Sequence, residues 1–302
     1  MKYIHLKSQT FTETEYNYIY LSQFDGIGSM YNSIAVCLKF CKDHELKLLI
    51  DPRSWTYFKG EPLDIIALND IFIFDTDIII IDPIHITNII QSNINKILFV
   101  KSTQSKRVLP RTVNYNLPIE KPVKFVNFEE FYKICVLSQP TDYTLSEEIP
   151  IKLGAKFQNI FDQYKDICKE TTGVHARLGN GELTYMRRSK KPRVYIDQLK
   201  FITEMHKHHD QFFICTDTHK FIKKATFIFG NRVVSIPRKF APSGLGPGHR
   251  ASQYHDRDMY NHLGYAITEM LLLGECKSLL YNISNFTFYA RHFRQVKSAL
   301  IV

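Results

Sequence analysis

Residues 173–182 of this 302-residue chain have the sequence GVHARLGNGE. The alternation of Val174 and Ala176 with His175 and Arg177 predicts a strand that places both basic side chains on one face. The glycines that follow predict a tight loop, because glycine lets the backbone turn sharply and approach a ligand closely. Ligands bind at the carboxyl ends of strands in open α/β sheets, so this stretch is a candidate ligand-binding strand end.

Arg177 has the chemistry that a phosphate group requires. A guanidinium donates two parallel hydrogen bonds in a fixed geometry and stays charged at any physiological pH. The alternative is an ordinary strand end with a surface arginine, and a short motif alone does not separate the two. Arg177 is therefore the first candidate binding residue, and neighbouring strand ends must supply the rest of a site.

The chain is basic, with a net charge of +9, while its 44% hydrophobic and 23% charged residues are typical of a globular protein. Such a charge favours an anionic partner: nucleic acid, an acidic membrane, a phosphorylated lipid or a nucleotide. The basic runs at 101–107 and 187–191 accompany no helix-turn-helix, finger or RNA-binding signature. We therefore predict that the chain binds no nucleic acid.

Cysteine use and hydropathy suggest the compartment. Most of the six cysteines lie in apolar runs and none has zinc-site spacing, so we expect reduced core residues. The N-terminus has no basic start followed by an apolar run, so no signal peptide is predicted. The apolar run at 78–81 is too short to span a bilayer. We expect a cytoplasmic protein that could also lie at the inner face of the membrane.

The first half of the chain predicts a strand, a glycine turn, a helix and a second strand. A strand at 18–21 leads through Gly26 and Gly28 into a helix at about 31–43 and a strand at 46–50. The two glycines indicate a nucleotide site, although the third glycine of the dinucleotide fingerprint is missing. The acidic triplet at 75–77 resembles a metal-binding motif of some sugar transferases, but a turn between apolar runs explains it better, and we predict no metal.

The second half alternates strands and helices more regularly. Strands are predicted at 212–216, 233–236 and 278–281, with helices between them. This alternation predicts an α/β protein with parallel sheets. The proline-punctuated region at 101–150 places a domain boundary near its end, which gives domains 1–150 and 151–302.

The ordered motifs resemble those of the rhizobial nodulation fucosyltransferases and, more broadly, of the α1,6- and protein O-fucosyltransferase superfamily. In the second half they are HARLGNGE at 175–182, CTD at 215–217, a Gly/Pro loop ending at His249, TEMLLLGEC at 268–276 and the turn at 284–291. In the first half, GIG at 26–28 and residues 51–58 are also similar, whereas about 60–150 shows no match.

The resemblance implies a GT-B-like architecture of two Rossmann-type domains. The C-terminal domain would bind GDP-fucose, and the cleft and the N-terminal domain would bind the acceptor. It implies an inverting, metal-independent glycosyltransferase without a cofactor, whose donor substrate is a GDP-sugar. The acceptor would be an oligosaccharide or a lipid-linked glycan used in bacterial surface-polysaccharide synthesis. The protein could contact an anionic membrane peripherally. Two alternatives stay open: another GDP-sugar such as GDP-heptose or GDP-mannose, and a nucleotide-sugar-binding protein without turnover.

The resemblance also implies roles for individual residues. Arg177 would grip the β-phosphate and His175 would lie against the nucleotide. Glu269 falls where the family often has an aspartate that pairs with guanine. Glu182, the nearest carboxylate to the arginine motif, is the candidate base, although a first-turn glutamate also stabilises a helix dipole. The other candidate binding residues are Gly26, Gly28, Asn180, Asp217, His249, Ser284, Asn285 and Phe286.

Two of these roles have a physical basis in the sequence itself. Ser284 and Asn285 would contact phosphates from a helix N-terminus, where backbone amides and the helix dipole favour anions. Asp217 follows a predicted strand and could instead cap the helix that begins at His219. The strand ends at 175–177, 216–217 and 284–285 are expected to converge on one crevice.

Overall fold

The chain forms two units, each built around its own parallel sheet. The computed structural model describes residues 16–22, 27–54, 68–74, 77–101, 125–127, 131, 151–178, 193–240, 256–282, 286–287, 290 and 298–301. One unit comprises Met1–Ile66 and Phe74–Lys152, and the other comprises Ala67–Ile73 and Leu153–Val302. Ala67–Ile73, which the predicted boundary assigns to the N-terminal domain, thus belongs with the second unit.

The sheet of the first unit has five parallel strands in the order β4-β2-β1-β5-β6. Its central strand, Tyr18–Ser22, is buried on both faces, because Ile19, Tyr20 and Leu21 are all inaccessible to solvent. The strands are β1 (Tyr18–Ser22), β2 (Lys47–Ile50), β4 (Ile79–Ile80), β5 (Ile97–Lys101) and β6 (Phe125–Asn127), and the helices are α1 (Ile27–Asp43) and α2 (Pro83–Asn93). A short strand, β3 (Phe72–Phe74), lies outside this sheet.

Helix α2 was not expected from hydrophobic periodicity, although the sequence carries its start signal. Oδ1 of Asp82 accepts a hydrogen bond from the backbone N–H of His85 at 2.7 Å, and Pro83 occupies the first turn. The buried carboxylate of Asp51, just after β2, is paired with Arg53, whose Nη2 also donates to Thr87 Oγ1 at 3.1 Å. This ion pair therefore links the end of β2 to α2.

The second unit contains a sheet with the same topology. Its five parallel strands have the order β10-β9-β8-β11-β12. The strands are β8 (Thr172–Ala176), β9 (Phe212–Thr216), β10 (Val233–Val234), β11 (Ser278–Tyr281) and β12 (Ser298–Ile301), and the helices are α3 (Ala155–Lys169), α4 (Arg193–His206), α5 (His219–Phe229) and α6 (Asp256–Glu275). The remaining strand, β7 (Ile151–Leu153), pairs with β3 in a separate two-stranded sheet.

Counted along the chain, each five-stranded sheet has the strand order 3-2-1-4-5, so the order reverses between its first and fourth strands. The reversal falls between β1 and β5 in the first unit and between β8 and β11 in the second. In such sheets the crevice at the reversal is the usual ligand site. The predicted α/β class with parallel Rossmann-type sheets is confirmed.

The core of the second unit explains the alternation in β8. Val174 and Ala176 belong to the apolar cluster that includes Phe201 of α4 and Phe221 of α5. The opposite face of the sheet is covered by α3 and α6. A Cβ on Gly173 would lie 2.6 Å from Cδ2 of Leu279 and 2.9 Å from Sγ of Cys276, so these two side chains fill the space beside the glycine.

The structure changes several predicted bounds. Helix α1 begins at Ile27 rather than at about 31, and β10 ends at Val234 rather than at 236. Strand β12 was not predicted. The helix expected from Glu182 lies outside the described residues. The five described cysteines are buried, as expected of core residues: Cys37, Cys41, Cys168, Cys215 and Cys276.

Candidate functional site

At the reversal point of the second sheet, Asn282 fixes the backbone around Arg177. Its Oδ1 accepts a hydrogen bond from Arg177 N at 2.9 Å, and its Nδ2 donates to Arg177 O at 3.5 Å. Its own backbone N–H donates to His175 O at 3.4 Å. These bonds hold the end of β8 against the end of β11 through backbone atoms of Arg177, so the guanidinium is not needed to fix the strand end.

The predicted site residues His175 and Phe286 meet in a stack. Their ring centroids are 4.8 Å apart and the ring planes are 12° from parallel. His175 is buried, and its Nδ1 has no hydrogen-bond partner in the part of the chain that the structure describes. Burial, together with the positive charge of Arg177, lowers the pKa of His175 to about 3. The imidazole is therefore neutral at physiological pH.

Asp217, at the end of β9, supports the backbone on the other side of Arg177. Its Oδ1 accepts a hydrogen bond from Leu178 N at 2.7 Å, and Thr216 Oγ1 donates to Ala176 O at 2.6 Å. The residue at the N-cap of α5 is Thr218, whose side chain makes no capping hydrogen bond. Asp217 at the end of β9 and Asn282 at the end of β11 thus bind the backbone of Arg177 and Leu178, the two residues that follow β8.

Glu269 lies in the middle of α6 and forms a buried ion pair with Arg238. Nε of Arg238 donates to Oε1 of Glu269 at 2.9 Å, and Nη2 donates to Oε2 at 3.3 Å. The two side chains are 10% and 7% exposed. Burial raises the pKa of Glu269, the charge and hydrogen bonds of Arg238 oppose that rise, and the charge of Asp217 adds to it. A predicted site carboxylate is therefore already engaged by a cation.

Arg238 and Asn282 are functional candidates that the sequence did not reveal as such. Arg238 also donates through Nη2 to Thr216 O at 2.7 Å, and its guanidinium carbon lies 4.3 Å from the ring centre of Phe240. Both residues follow the carboxyl end of a strand, which is the only local signal that could have marked them. Their partners are remote in sequence, so only the folded chain identifies their roles.

The remaining predicted residues divide into two groups. Gly28 is the second residue of α1 in the first unit. Six other candidates lie outside the described residues: Gly26, Asn180, Glu182, His249, Ser284 and Asn285. Among the side chains that the structure does describe, no group of three or more His, Cys, Asp and Glu could hold a metal ion. No helix in the described ranges is long and apolar enough to cross a membrane.

The fold resembles that of solved fucosyltransferases. No protein-family model matches the chain, and no curated protein matches it in sequence. The structure of NodZ α-1,6-fucosyltransferase soaked with GDP-fucose aligns with a TM-score of 0.52 and 14% identity, over 92% of this chain and 93% of that one. Fucosyltransferase NodZ from Bradyrhizobium aligns with a TM-score of 0.50 and 13% identity, over 92% and 93% of the two chains.

A plant structure gives a similar result. An arginine-to-lysine variant of Arabidopsis thaliana FUT1 in complex with GDP aligns with a TM-score of 0.51 and 11% identity, over 95% of this chain and 70% of that one. At these identities the similarity establishes the fold. The chain therefore has a GT-B-like fold of the NodZ type, and the predicted resemblance is confirmed at this level.

Proposed function

We propose that this chain is a glycosyltransferase that uses a GDP-sugar, with GDP-fucose as the first candidate donor. The observation that carries the proposal is the cluster of Arg177, His175 and Phe286 at the reversal point of the second sheet. A cation beside a neutral imidazole and an aromatic ring suits the phosphates and ring of a nucleotide. A NodZ structure soaked with GDP-fucose shares the fold, which supports the choice of donor.

The proposed mechanism is an inverting single displacement in which Arg177 binds the leaving group. An acceptor hydroxyl would attack the anomeric carbon while the bond to the β-phosphate breaks, and negative charge would grow on the leaving GDP. A preorganised guanidinium stabilises that charge better than water does. Asn282 and Asp217 contribute to this preorganisation by fixing the backbone on both sides of Arg177. Glu182 remains the proposed base, and Ser284 and Asn285 remain proposed phosphate contacts.

Glu269 is the residue proposed to recognise guanine. A carboxylate can accept hydrogen bonds from both N1–H and the 2-amino group of guanine, and its two oxygens offer about four acceptor positions. Arg238 uses two of these positions. The remaining positions could serve a donor edge, which guanine has and adenine, uracil and cytosine lack in this pattern.

The proposal is tested by thermal stabilisation and turnover with a panel of nucleotides and sugars. GDP should raise the melting temperature more than ADP, UDP or CDP, because the wrong base leaves buried polar groups unpaired. Turnover of one GDP-sugar should persist in excess EDTA if no metal takes part. Equal stabilisation by all four diphosphates would reject the guanine site. GDP binding without turnover of GDP-fucose, GDP-mannose or GDP-heptose would favour a non-catalytic binding protein.

We also propose that the acceptor is an oligosaccharide or lipid-linked glycan used in surface-polysaccharide synthesis at an anionic membrane. Two features of the chain support membrane contact. The net charge is +9. Helix α5 carries no acidic side chain, and its Phe227 is 92% exposed. Lys220 and Lys223 are exposed and lie seven and four residues before Phe227 on the same face of the helix.

A further inference from the structure

Arg238 connects three elements at the carboxyl edge of the second sheet. It lies after β10, it is bonded through two nitrogens to Glu269 of α6, and it donates to the last carbonyl of β9 at Thr216. The ring of Phe240 covers its guanidinium at 4.3 Å. A two-pronged ion pair with a third hydrogen bond and an aromatic cover allows little rotation of either side chain.

The charges around Glu269 would favour its neutral form without Arg238. Glu269 is buried, and loss of water from around a carboxylate favours the protonated acid. Within the described residues, the charged and titratable groups that face it are Arg238, Asp217 and the buried thiol of Cys215, whose Sγ lies 3.8 Å from Glu269 O. Arg238 is the cation in this set, and the others are acidic groups.

The protonation state of Glu269 determines what the carboxyl group can bind. An ionised carboxylate only accepts hydrogen bonds, whereas the protonated acid donates one and loses acceptor capacity. The guanine edge that Glu269 is proposed to bind presents two donors. Protonation of Glu269 would therefore place its O–H donor opposite an N–H donor of guanine and weaken GDP binding.

We propose that Arg238 is a positioning residue of the donor site that holds Glu269 as an ionised, oriented acceptor for the base. This inference rests on the proposed function, because it requires that GDP binds at Glu269. It predicts that GDP binding stays insensitive to pH near neutrality only while Arg238 is present.

The experiment compares the Kd of GDP for the wild type and for Arg238→Gln by calorimetry between about pH 6 and pH 8.5. Without Arg238, burial and the charge of Asp217 raise the pKa of Glu269, so a proton must be lost before GDP binds. We expect the variant to bind GDP about tenfold or more weakly at the acidic end and to recover as the pH rises. The Kd of the wild type should change by less than about threefold over this range.

Two further variants serve as controls. The amide of Glu269→Gln cannot titrate, and this variant should bind GDP weakly at every pH. Adding Arg238→Gln to it should introduce no pH dependence of GDP binding. Arg238→Lys keeps the charge but loses the two-pronged geometry, so it should show a smaller pH dependence. It also carries the test if Arg238→Gln does not fold, since removing one partner of a buried ion pair is strongly destabilising.

The outcomes separate this inference from the proposed function. If the wild type binds GDP and a folded Arg238→Gln protein has the same affinity and pH profile, the role of Arg238 is rejected and the proposed function stands. If only Arg238→Lys folds, and its GDP affinity and pH profile equal those of the wild type, the role of Arg238 is also rejected. If the wild type binds no GDP at any pH, the proposed function fails and this inference fails with it.

Discussion

At the scale of single residues, Arg177 is held by its backbone. Asn282 and Asp217 accept hydrogen bonds from the N–H groups of Arg177 and Leu178, at 2.9 Å and 2.7 Å. The guanidinium is therefore presented from a fixed strand end, which limits the reorganisation needed when a ligand binds. Preorganisation of this kind is what makes a cation effective toward charge that develops during a reaction.

The Arg177→Lys variant should lose turnover with its fold intact. Lysine keeps the charge but cannot donate two parallel hydrogen bonds to a phosphate. Losing one such transition-state contact costs about 3 kcal/mol, or about a hundredfold in kcat. Steady-state kinetics with the active GDP-sugar measure this loss, which should fall on kcat as well as on donor affinity.

A matched control for Arg177→Lys exists at the opposite edge of the same sheet. Nε of Arg232, just before β10, donates to Asp210 O at 3.0 Å, and its guanidinium carbon lies 5.1 Å from the centre of the Phe212 ring. Arg232→Lys should lower stability and leave kcat unchanged. Near-wild-type kcat in a well-folded Arg177→Lys protein would contradict the phosphate assignment.

His175 should make stability depend on acidity. Its pKa falls from 6.5 to about 3 on folding, so the unfolded chain binds a proton in this range that the native protein does not. The contribution is therefore fully present above pH 6.5 and is lost as the pH falls toward 3, by up to about 1.4 kcal/mol per pH unit. Urea unfolding of the wild type and His175→Gln should show their stability difference shrinking or reversing on acidification. A difference that is constant with pH would contradict the assigned shift.

At the scale of secondary-structure elements, α3 and α6 pack together around a glycine. A Cβ on Gly264 of α6 would lie 2.1 Å to 2.5 Å from three carbons of the Phe157 ring, which is itself 1% exposed on α3. The ring has no free space into which to move, since interiors are close-packed. The approach of the two helices therefore depends on the absence of a side chain at this position.

Gly264→Ala should consequently destabilise the protein by about 1–3 kcal/mol through overpacking. The helix propensity of alanine alone would stabilise it by about 1 kcal/mol, so the sign of the change separates the two effects. The free energy of unfolding in urea measures it. Adding Phe157→Leu should make the combined loss smaller than the sum of the two single losses. A stabilised Gly264→Ala protein would contradict the packing seen here.

Helix α5 presents lysines beside an exposed phenylalanine, and this face should bind anionic vesicles. Each lysine near such a surface contributes about 1 kcal/mol, and Phe227 can enter the headgroup region. Lys220→Glu with Lys223→Glu should weaken co-sedimentation with phosphatidylserine vesicles by at least about tenfold, and Phe227→Ser should weaken it less. Ile84→Ser is the control, because Ile84 is a 73% exposed apolar residue on α2 of the first unit. Equal binding by the lysine variant and the control would reject this surface.

At the scale of the whole molecule, the chain contains the same strand order twice. Each unit therefore has one reversal point of the strand order, which is where open α/β sheets usually bind their ligands. The second of these holds the cluster around Arg177. The similarity to NodZ spans 92% of this chain, so it includes both units.

The sequence by itself determined most of the elements and the class of the fold. Periodicities of two and of 3.6 residues are local, so they predicted β8, β9 and β11 and most helices, and the alternation of strands and helices predicted parallel sheets. Arg177 was visible for the same reason, because it follows a strand and precedes glycines. Helix α2 was missed although Asp82 and Pro83 mark its start, and here the signal lay in capping chemistry instead of periodicity.

Only the tertiary structure decided which side chains act together. Arg238 and Glu269 are 31 residues apart in the chain, and Arg177 and Asn282 are 105 apart. Such pairs form because the strand order β10-β9-β8-β11 brings the carboxyl ends of distant segments to one edge. No local spacing encodes that order, since it results from how the helices bury their apolar faces on the two sides of the sheet. The sequence therefore showed a cation at a strand end, and the fold supplied the residues that hold its backbone in place.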